Sequence, residues 1–380
     1  MKPRRQSGNA HNVHIATLRL DQYDAILDTR SPGEFADDHL PGALSVPVLD
    51  DEERARIGYL YKQVSPFEAR RLGAALVARN ISRHIETAFS AHGREWRPLV
   101  YCWRGGKRSA ALTHVLREVG WDADVLEGGY RAYRRHVVER LSVLPRTLRF
   151  RVVQGATGSG KSRLLVALRR LGAQVLDLED LAAHRGSVLG GLPGREQPTQ
   201  KRFESLVLSA LESFDPALPV YVEGESRKIG QVQLTETLIA SMRGAECVVL
   251  DTELDVRVAL LLDEYRHFFH DSQMLEAKLE HLVSLHGRTV IDDWKLLARS
   301  ADWPGLVSRL LREHYDPAYR KSAARNFTLL GAAPRLRITA QTAAAFDAAA
   351  AELLGTQLPP SAPSAPSSQS AASAAPRHNA

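Results

Sequence analysis

The sequence has little cysteine and no long apolar run, and each shortage excludes a class of protein. Only two cysteines, Cys102 and Cys247, occur among 380 residues, which argues against a disulfide framework and favours a reducing cytosol. No run of apolar residues is long enough to cross a bilayer, and Arg4 and Arg5 are not followed by the apolar core of a secretory signal. We therefore expect a cytoplasmic protein without a membrane segment.

The length and the hydrophobic pattern predict two domains. At 380 residues the chain exceeds one ordinary core. Short apolar strands alternate with helical segments in both halves, which is typical of α/β folds in which helices cover parallel sheets. The expected division is a flexible N-terminus (1–14), a first domain (15–143), a second domain with a helical C-terminal part (144–355) and a disordered tail rich in Ser, Ala and Pro (356–380).

The positive charge is concentrated in one internal segment. Three of the six net charges lie in residues 1–14 and one in residues 356–380, so the remaining chain is nearly balanced. The segment 131–151, however, holds seven arginines against one acid, with Tyr130 and Tyr133 at its start. Arginine pairs with phosphate and tyrosine stacks on unpaired bases, although a solvated helix face would explain the same charges. The candidate nucleic-acid contacts are Arg131, Arg134 and Arg135.

The second domain begins with a phosphate-binding motif. Residues 155–162, Gly-Ala-Thr-Gly-Ser-Gly-Lys-Ser, match G-x-x-x-x-G-K-[ST] between a predicted strand and a predicted helix. Its glycines let backbone N–H groups turn toward a phosphate, Lys161 reaches the terminal phosphates, and Ser162 offers its hydroxyl to Mg²⁺. The expected phosphate-binding residues are Gly155, Gly158, Ser159, Gly160, Lys161 and Ser162.

The motif does not by itself identify the phosphate compound. Glu223 and Glu225 follow one predicted strand and Asp251 ends another; either position could hold Mg²⁺ through water or be an ordinary strand-end acid. No base-recognition motif is evident. The sequence therefore predicts a phosphate or diphosphate ligand, of which ATP is one candidate.

A second anion-binding loop surrounds Cys102. The cysteine lies between a predicted strand (98–101) and a predicted helix (108–119), so inward amides, a helix N-terminus and nearby cations should lower its pKa below the free value of about 8.5. Cys247, on an apolar strand, is interpreted as structural. Cys102 is the expected catalytic residue. The expected anion- or donor-binding residues are Trp103, Arg104, Gly105, Gly106, Lys107 and Arg108.

The spacing C-x-x-G-x-x-R-S of this loop fits two chemistries. Cysteine phosphatases attack phosphorus with such a cysteine, whereas sulfurtransferases take sulfur or selenium onto it. Residues 28–35 (Asp-Thr-Arg-Ser-Pro-Gly-Glu-Phe) and 38–43 (Asp-His-Leu-Pro-Gly-Ala) closely resemble the rhodanese signature, and 127–130 (Glu-Gly-Gly-Tyr) resembles its closing motif. The loop is one residue longer than the commoner rhodanese form, which keeps phosphatase chemistry open as the minority interpretation.

A rhodanese-like domain followed by a P-loop NTPase-like domain resembles the tRNA 2-selenouridine synthases. Shorter motifs in the same order extend the resemblance over nearly the whole chain apart from its ends. They are residues 184–187, 197–200 with 203–204, 223–230, 285–287 with Trp294, and 314–317 with Tyr319.

The resemblance implies a transferase that acts on wobble 2-thiouridine in tRNA. Geranyl diphosphate would alkylate the 2-thio sulfur, and selenophosphate would supply the selenium that replaces the S-geranyl group. Cys102 would carry selenium as selanyl-cysteine, and the P-loop would bind the diphosphate with Mg²⁺ and contacts from Glu223, Glu225 and Arg227. The implied partners are tRNA and the enzyme that supplies selenophosphate.

Two other interpretations stay open. One is a rhodanese-fold cysteine phosphatase or sulfurtransferase fused to a P-loop kinase. The other is a non-catalytic tRNA-binding or regulatory protein with a degenerate rhodanese domain, against which the presence of Cys102 counts.

Overall fold

A five-stranded parallel sheet organises the N-terminal half of the protein. The computed structural model describes residues 12–187, 190–192, 194–266, 272–327 and 329–355. The strands are β1 (Asn12–Val13), β2 (Ala25–Asp28), β3 (Ala43–Ser45), β4 (Pro98–Tyr101) and β5 (Asp124–Leu126). They pair in the order β1-β5-β4-β2-β3, with every pair parallel. The interior strands β2 and β4 are largely apolar and buried. Because they run parallel, both end at the same edge of the sheet.

Five helices accompany this sheet, and polar side chains fix where three of them begin. The helices are α1 (Pro32–Asp37), α2 (Asp51–Gln63), α3 (Pro66–Glu86), α4 (Lys107–Val119) and α5 (Gly129–Val143). Ser31 and Glu34 form a capping box at the start of α1. Asp50 and Ser65 accept backbone N–H groups at the starts of α2 and α3.

A second five-stranded parallel sheet follows in the C-terminal half. Its strands are β6 (Arg149–Gln154), β7 (Gln174–Leu176), β8 (Pro219–Glu223), β11 (Glu246–Thr252) and β12 (Arg335–Ile338); β9 (Lys228–Ile229) and β10 (Val232–Gln233) form a separate antiparallel pair. The order is β12-β11-β6-β8-β7, with every pair parallel. The phosphate-binding motif therefore leaves the central strand.

Eleven helices are described in this half. Six pack around the sheet: α6 (Lys161–Arg170), α7 (Leu178–Leu181), α8 (Gln200–Glu212), α9 (Glu236–Arg243), α10 (Leu254–Glu264) and α16 (Ala343–Gly355). Four share a core of their own: α11 (Ser272–Glu280), α12 (Val283–His286), α13 (Arg288–Arg299) and α14 (Trp303–Leu310). The eleventh, α15 (Asp316–Asn326), follows them in the chain. A π-helical turn, Leu311–Tyr315, joins α14 to α15.

One hydrophobic core continues from the first half into the second. Tyr130, Val137 and Leu141 of α5 belong to the same buried cluster as Val207 and Leu211 of α8. Because this cluster is shared, α5 and α8 hold the two sheets together as one packed body rather than as domains on a free linker.

Polar contacts fix the same junction. The Lys201 ammonium lies 2.6 Å from an Asp37 carboxylate oxygen, and Arg202 donates to the His39 carbonyl at 3.0 Å. Asp38 is fully buried and accepts the hydroxyls of Tyr130 and Ser205, each at 2.9 Å. The rhodanese-type segment 37–39 thus forms part of the boundary with α8.

A buried ion pair explains the Asp-x-Arg element of the N-terminal signature. Arg30 is 1% exposed, donates to both oxygens of Asp28 and also reaches the Asp38 carbonyl at 2.6 Å. Its guanidinium lies 4.0 Å from the centre of the Tyr130 ring. Removing one partner of such a pair leaves an uncompensated buried charge, at a cost of about 3–5 kcal/mol. The pair is therefore a structural support for the loops at this edge.

The predicted α/β fold with two parallel sheets covered by helices is confirmed. The predicted flexible N-terminus is wrong in its last residues, because Asn12–Val13 pairs with β5 and so belongs to the first sheet. Its residues 1–11, like the tail 356–380 predicted to be disordered, lie outside the described residues. No helix among the described residues is long and apolar enough to cross a membrane.

Candidate active sites

The Cys102 loop closes a tight cradle between β4 and α4. Cys102 directly follows β4 and is 3% exposed. Its sulfur accepts the Gly106 backbone N–H and the Ser109 hydroxyl, each at 3.2 Å. Gly105 has a φ of +66°, and a β-carbon there would lie 2.9 Å from the Leu126 carbonyl oxygen, so only glycine fits.

The closing motif at 127–130 holds this cradle from the other side. Tyr130 donates its backbone N–H to the Cys102 carbonyl at 2.8 Å, and Arg131 donates to the Trp103 carbonyl at 3.0 Å. Gly128 and Gly129 both have positive φ, at 71° and 56°, which lets the start of α5 approach the loop closely. The cradle is thus formed by segments distant in sequence.

Hydrogen bonds, rather than nearby cations, stabilise the Cys102 thiolate. Burial alone would raise the pKa of Cys102, since it disfavours the charged form. The Ser109 hydroxyl, followed by backbone N–H groups of Ser109, Arg104 and Gly106, outweighs burial and holds the pKa below its ordinary value. The predicted direction is confirmed, but the largest lowering contribution comes from Ser109, which the sequence argument did not assign to the site.

We expect Cys102 to be alkylated at lower pH than a free cysteine. The thiolate is the nucleophile, so its rate of reaction with iodoacetamide follows the thiolate fraction. Because the pKa of Cys102 is lowered, that rate should begin to fall only at a pH below the free-cysteine value of about 8.5. Cys247 is the matched control, since it is equally buried and burial raises its pKa to about 11. Mass spectrometry of the two cysteine peptides across pH measures both rates.

Ser109→Ala should move the Cys102 profile to higher pH and leave Cys247 unchanged, because it removes one donor to the sulfur. Coincident profiles for Cys102 and Cys247 in the wild-type chain would contradict this explanation of the thiol.

The cations predicted around Cys102 divide into two groups. Arg104 and Lys107 are exposed, and their side chains form no ion pair with any residue that the structure describes. Arg108 instead lies 2.7 Å from Glu34, which also pairs with Arg54 at 2.9 Å. The Arg108 guanidinium is therefore paired with Glu34, and its grouping with the donor-binding residues stays a prediction.

The phosphate-binding motif adopts the expected loop between β6 and α6. Gly158 and Gly160 have positive φ, and a β-carbon at Gly160 would lie 2.5 Å from the Phe346 ring. Lys161 donates to the Gly155 carbonyl at 3.1 Å, so its ammonium is folded over the loop. Ser162 donates to a Glu179 carboxylate oxygen at 2.9 Å. The loop therefore presents its backbone N–H groups, an ammonium and a hydroxyl at one place.

Four carboxylates border this loop. Glu223 is buried and accepts the Glu179 backbone N–H at 2.7 Å. Burial, with Asp177 and Glu179 as neighbours, raises the pKa of Glu223 well above its ordinary value. Burial and Glu179 likewise raise the pKa of Glu225 to about 7, against the opposing effect of Lys161. Burial and crowding therefore disfavour the charged forms of Glu223 and Glu225.

Sequence profiles of two families match the chain in the order of the two sheets. The profile described as "Rhodanese-like domain" matches residues 13–136, and that described as "tRNA 2-selenouridine synthase AAA domain" matches residues 148–285. A tRNA 2-selenouridine synthase of Shewanella halifaxensis is 35% identical over 327 residues, 78% of this chain and 87% of that protein. The chain belongs to the tRNA 2-selenouridine synthase family.

Other relatives carry the same name. The tRNA 2-selenouridine synthase of Nitrosomonas europaea is 36% identical over 244 residues, and the alignment covers 63% of each chain. That of Hydrogenovibrio crunogenus is 32% identical over 304 residues, or 78% of each chain. The predicted resemblance to tRNA 2-selenouridine synthases is confirmed, and the Nitrosomonas alignment spans a little under two thirds of that relative's length.

Arg227, a predicted diphosphate contact, points to a partner outside the P-loop. It is exposed and pairs with Glu236 at 3.0 Å, because the chain turns away into β9 after Glu225. Asp251, the alternative acid, is exposed on β11 beside Arg337. Of that prediction, Glu225 interacts with Lys161, and Glu223 lies beside Glu179 and Glu225.

The tyrosines of the arginine-rich segment cannot stack on bases. Tyr130 and Tyr133 are buried within the hydrophobic core that joins the two sheets. Arg134 forms an ion pair with Glu204 of α8 and supports the junction between the sheets. Arg131 and Arg135 are exposed and remain candidate tRNA contacts.

Sequence reasoning missed two side chains that shape the P-loop. Arg257 donates to the Thr157 carbonyl at 2.9 Å and pairs with Asp316 at 2.5 Å. Thr252 donates to the Ser159 carbonyl at 2.9 Å. The motif at 314–317, one of those on which the predicted resemblance rested, contains Asp316 and was the available signal, but nothing in the sequence linked it to the loop. No group of three or more His, Cys, Asp or Glu suited to a metal occurs among the described residues.

Proposed function

We propose that this chain converts wobble 2-thiouridine in tRNA to 2-selenouridine through two transfers at two sites. The main support is the combination, in one packed body, of a thiolate-stabilising loop and a P-loop, in a family whose curated relatives are named tRNA 2-selenouridine synthases. A cytoplasmic location suits a tRNA substrate. An enzyme that makes selenophosphate is the partner that this proposal requires.

The first transfer is assigned to the P-loop. The 2-thio sulfur attacks C1 of geranyl diphosphate, the C1–O bond breaks, diphosphate leaves, and the uridine loses its N3 proton. Lys161 and the loop N–H groups would stabilise the charge that develops on the leaving diphosphate. Arg227, paired with Glu236, has no role in this proposal.

Magnesium would assist this step by neutralising the diphosphate. The Ser162 hydroxyl and Glu179 would hold the ion, with Glu223 and Glu225 contacting it through water. The raised pKa values of Glu223 and Glu225 fit this assignment, because carboxylates crowded in a buried site are stabilised in their charged form by a cation.

The second transfer is assigned to Cys102. Selenophosphate, water and S-geranyl-2-thiouridine give 2-selenouridine, geranylthiol and phosphate. The inward N–H groups of the Cys102 loop would hold the phosphate of the donor, and the Cys102 thiolate would hold the Se–H group by a hydrogen bond. Water attacks phosphorus and the P–Se bond breaks, after which the released hydrogen selenide adds to C2 and geranylthiolate leaves. Prior S-alkylation assists, because a thioether sulfur leaves C2 more readily than a sulfide would.

Cysteine phosphatase chemistry is the less favoured alternative. That mechanism needs an arginine that clamps the equatorial oxygens of the phosphoryl group. Arg108 occupies the corresponding sequence position, but its guanidinium is held by Glu34. The contact therefore favours chalcogen transfer over phosphoryl transfer.

Nucleoside mass analysis tests the proposed function. The purified chain is incubated with a tRNA that carries wobble 2-thiouridine, with geranyl diphosphate and selenophosphate supplied singly or together. Geranyl diphosphate alone should yield S-geranyl-2-thiouridine, and both donors should yield 2-selenouridine. The opposite result is unmodified nucleoside in every reaction together with release of phosphate from p-nitrophenyl phosphate. That result would reject the proposal in favour of a cysteine phosphatase.

A further inference from the structure

Helices α2 and α3 form a hairpin that contributes little to the core. None of the 13 residues of α2 is buried, and only Ala69 and Ile81 are buried among the 21 residues of α3. The two helices pack on each other, as where Ile57 faces Gly73. An amphipathic helix normally buries one face against the protein. Because so few residues of α2 and α3 are buried, most of this hairpin's surface faces solvent.

The hairpin exposes large apolar side chains around its turn. Tyr59, Tyr61, Val64 and Phe67 are 64%, 52%, 63% and 68% exposed. Single exposed apolar residues are ordinary, but four within nine positions form a concentrated patch. Three of the four carry an aromatic face that can stack on a partner.

Unpaired cations are interleaved with these aromatic residues. Arg56, Lys62 and Arg70 are exposed, and none pairs with an acid in the part of the chain that the structure describes. Arg71 and Arg79, further along α3, do pair, with Glu68 and Glu53. The turn therefore combines free positive charge with exposed rings.

The base of the hairpin touches the Cys102 site. Asp51 of α2 accepts the Gly33 backbone N–H at 3.0 Å, and Arg54 pairs with Glu34 at 2.9 Å. Glu34 in turn binds Arg108 at 2.7 Å, one residue beyond the exposed Lys107 of the cysteine loop. The base of the hairpin therefore lies beside the mouth of the cysteine cradle, and its turn projects away from that base.

We propose that the α2–α3 hairpin binds unpaired nucleotides of the RNA substrate beside Cys102. This inference rests on the proposed function for its substrate. Single-stranded RNA is recognised by aromatic rings on which bases stack and by cations that follow the phosphates, and Tyr59, Phe67, Arg56, Lys62 and Arg70 supply both. Trp103, 37% exposed, offers a further aromatic ring in the cysteine loop itself.

Filter binding of tRNA to the full-length chain tests this inference. The Tyr59→Ala/Phe67→Ala variant should bind about 10-fold or more weakly, because each stacked base contributes substantially to affinity. The Arg56→Gln/Lys62→Gln variant should also bind more weakly, and the slope of log affinity against log salt should fall by about 2. Circular dichroism and the alkylation rate of Cys102 should match the wild type in both variants, since these side chains are exposed.

Two matched variants complete the experiment. Leu296→Ala removes an equally exposed apolar residue, 64% exposed on α13, and should leave tRNA binding unchanged. Arg131→Gln/Arg135→Gln removes the exposed arginines of α5. A loss confined to the α5 variant, or hairpin variants that bind like wild type, would overturn the inference.

Failure of the inference is distinguishable from failure of the proposed function. If the wild-type chain binds no tRNA, the RNA substrate itself is wrong. If wild type binds tRNA and the hairpin variants lose self-association instead of tRNA affinity, the hairpin is a subunit interface and the inference is rejected.

Discussion

Replacing Cys102 with alanine is expected to abolish selenium transfer to tRNA while leaving geranylation in place. The reason is spatial separation: the Cys102 sulfur contacts Gly106 and Ser109, whereas the P-loop residues lie on the other sheet. Alanine removes the sulfur and leaves the backbone N–H groups of the cradle. The donor's phosphate could therefore still bind, but no thiolate would hold its selenium. S-geranyl-2-thiouridine should therefore accumulate when both donors are present, measured by nucleoside mass analysis.

Cys247→Ala is the matched control for the loss of a buried thiol. Cys247 lies on β11, and its burial raises its pKa to about 11, so its removal should leave both steps intact. Loss of both steps in Cys102→Ala, with an unchanged melting temperature, would show that the two sites do not act separately.

Replacing Lys161 with alanine is expected to lower the rate of geranylation by about 100-fold or more. Lys161 is the P-loop cation, held over the loop by the Gly155 carbonyl, and loss of one donor to a developing oxyanion costs about 10²–10³ in rate. The variant should still convert tRNA that already carries S-geranyl-2-thiouridine, because that step needs no diphosphate donor. Separate assays on 2-thiouridine tRNA and on geranylated tRNA measure the two steps.

Lys228→Ala provides a control, since it removes an exposed lysine outside the loop. A Lys161→Ala variant that geranylates at the wild-type rate would reject the assignment of the P-loop to the alkyl donor. A variant that fails on both substrates would indicate a role in tRNA binding or folding instead.

The junction between the sheets bears on how two sites act on one nucleoside. Asp38 receives hydroxyls from Tyr130, whose backbone holds the Cys102 loop, and from Ser205 of α8. Gln200, at the start of α8, exchanges hydrogen bonds with Gln233 of β10, in the segment that follows Glu225. These contacts fix the orientation of the sites. Under the proposed function, the wobble base would therefore have to move between them while the protein body stays packed.

The sequence by itself determined the features that are contiguous along the chain. The P-loop and the Cys102 cradle each need a strand, a glycine-rich turn and a helix start in immediate succession, so both loops could be predicted from spacing, although the spacing left their ligands open. The parallel α/β class followed in the same way, from alternating apolar strands and helices. The family resemblance rested on motifs in chain order and was confirmed by the relatives.

Only the tertiary structure decided which face each side chain presents and which distant residues meet. Tyr130 and Tyr133 have the composition of an RNA contact but lie in the core, because α5 turns them toward α8. Arg108 meets Glu34 across 74 positions, and Asp38 meets Ser205 across 167. Local propensity carries no information about such pairs, since they form only when separate strands and helices pack. The same packing left the α2–α3 turn uncovered, and with it the surface we assign to RNA.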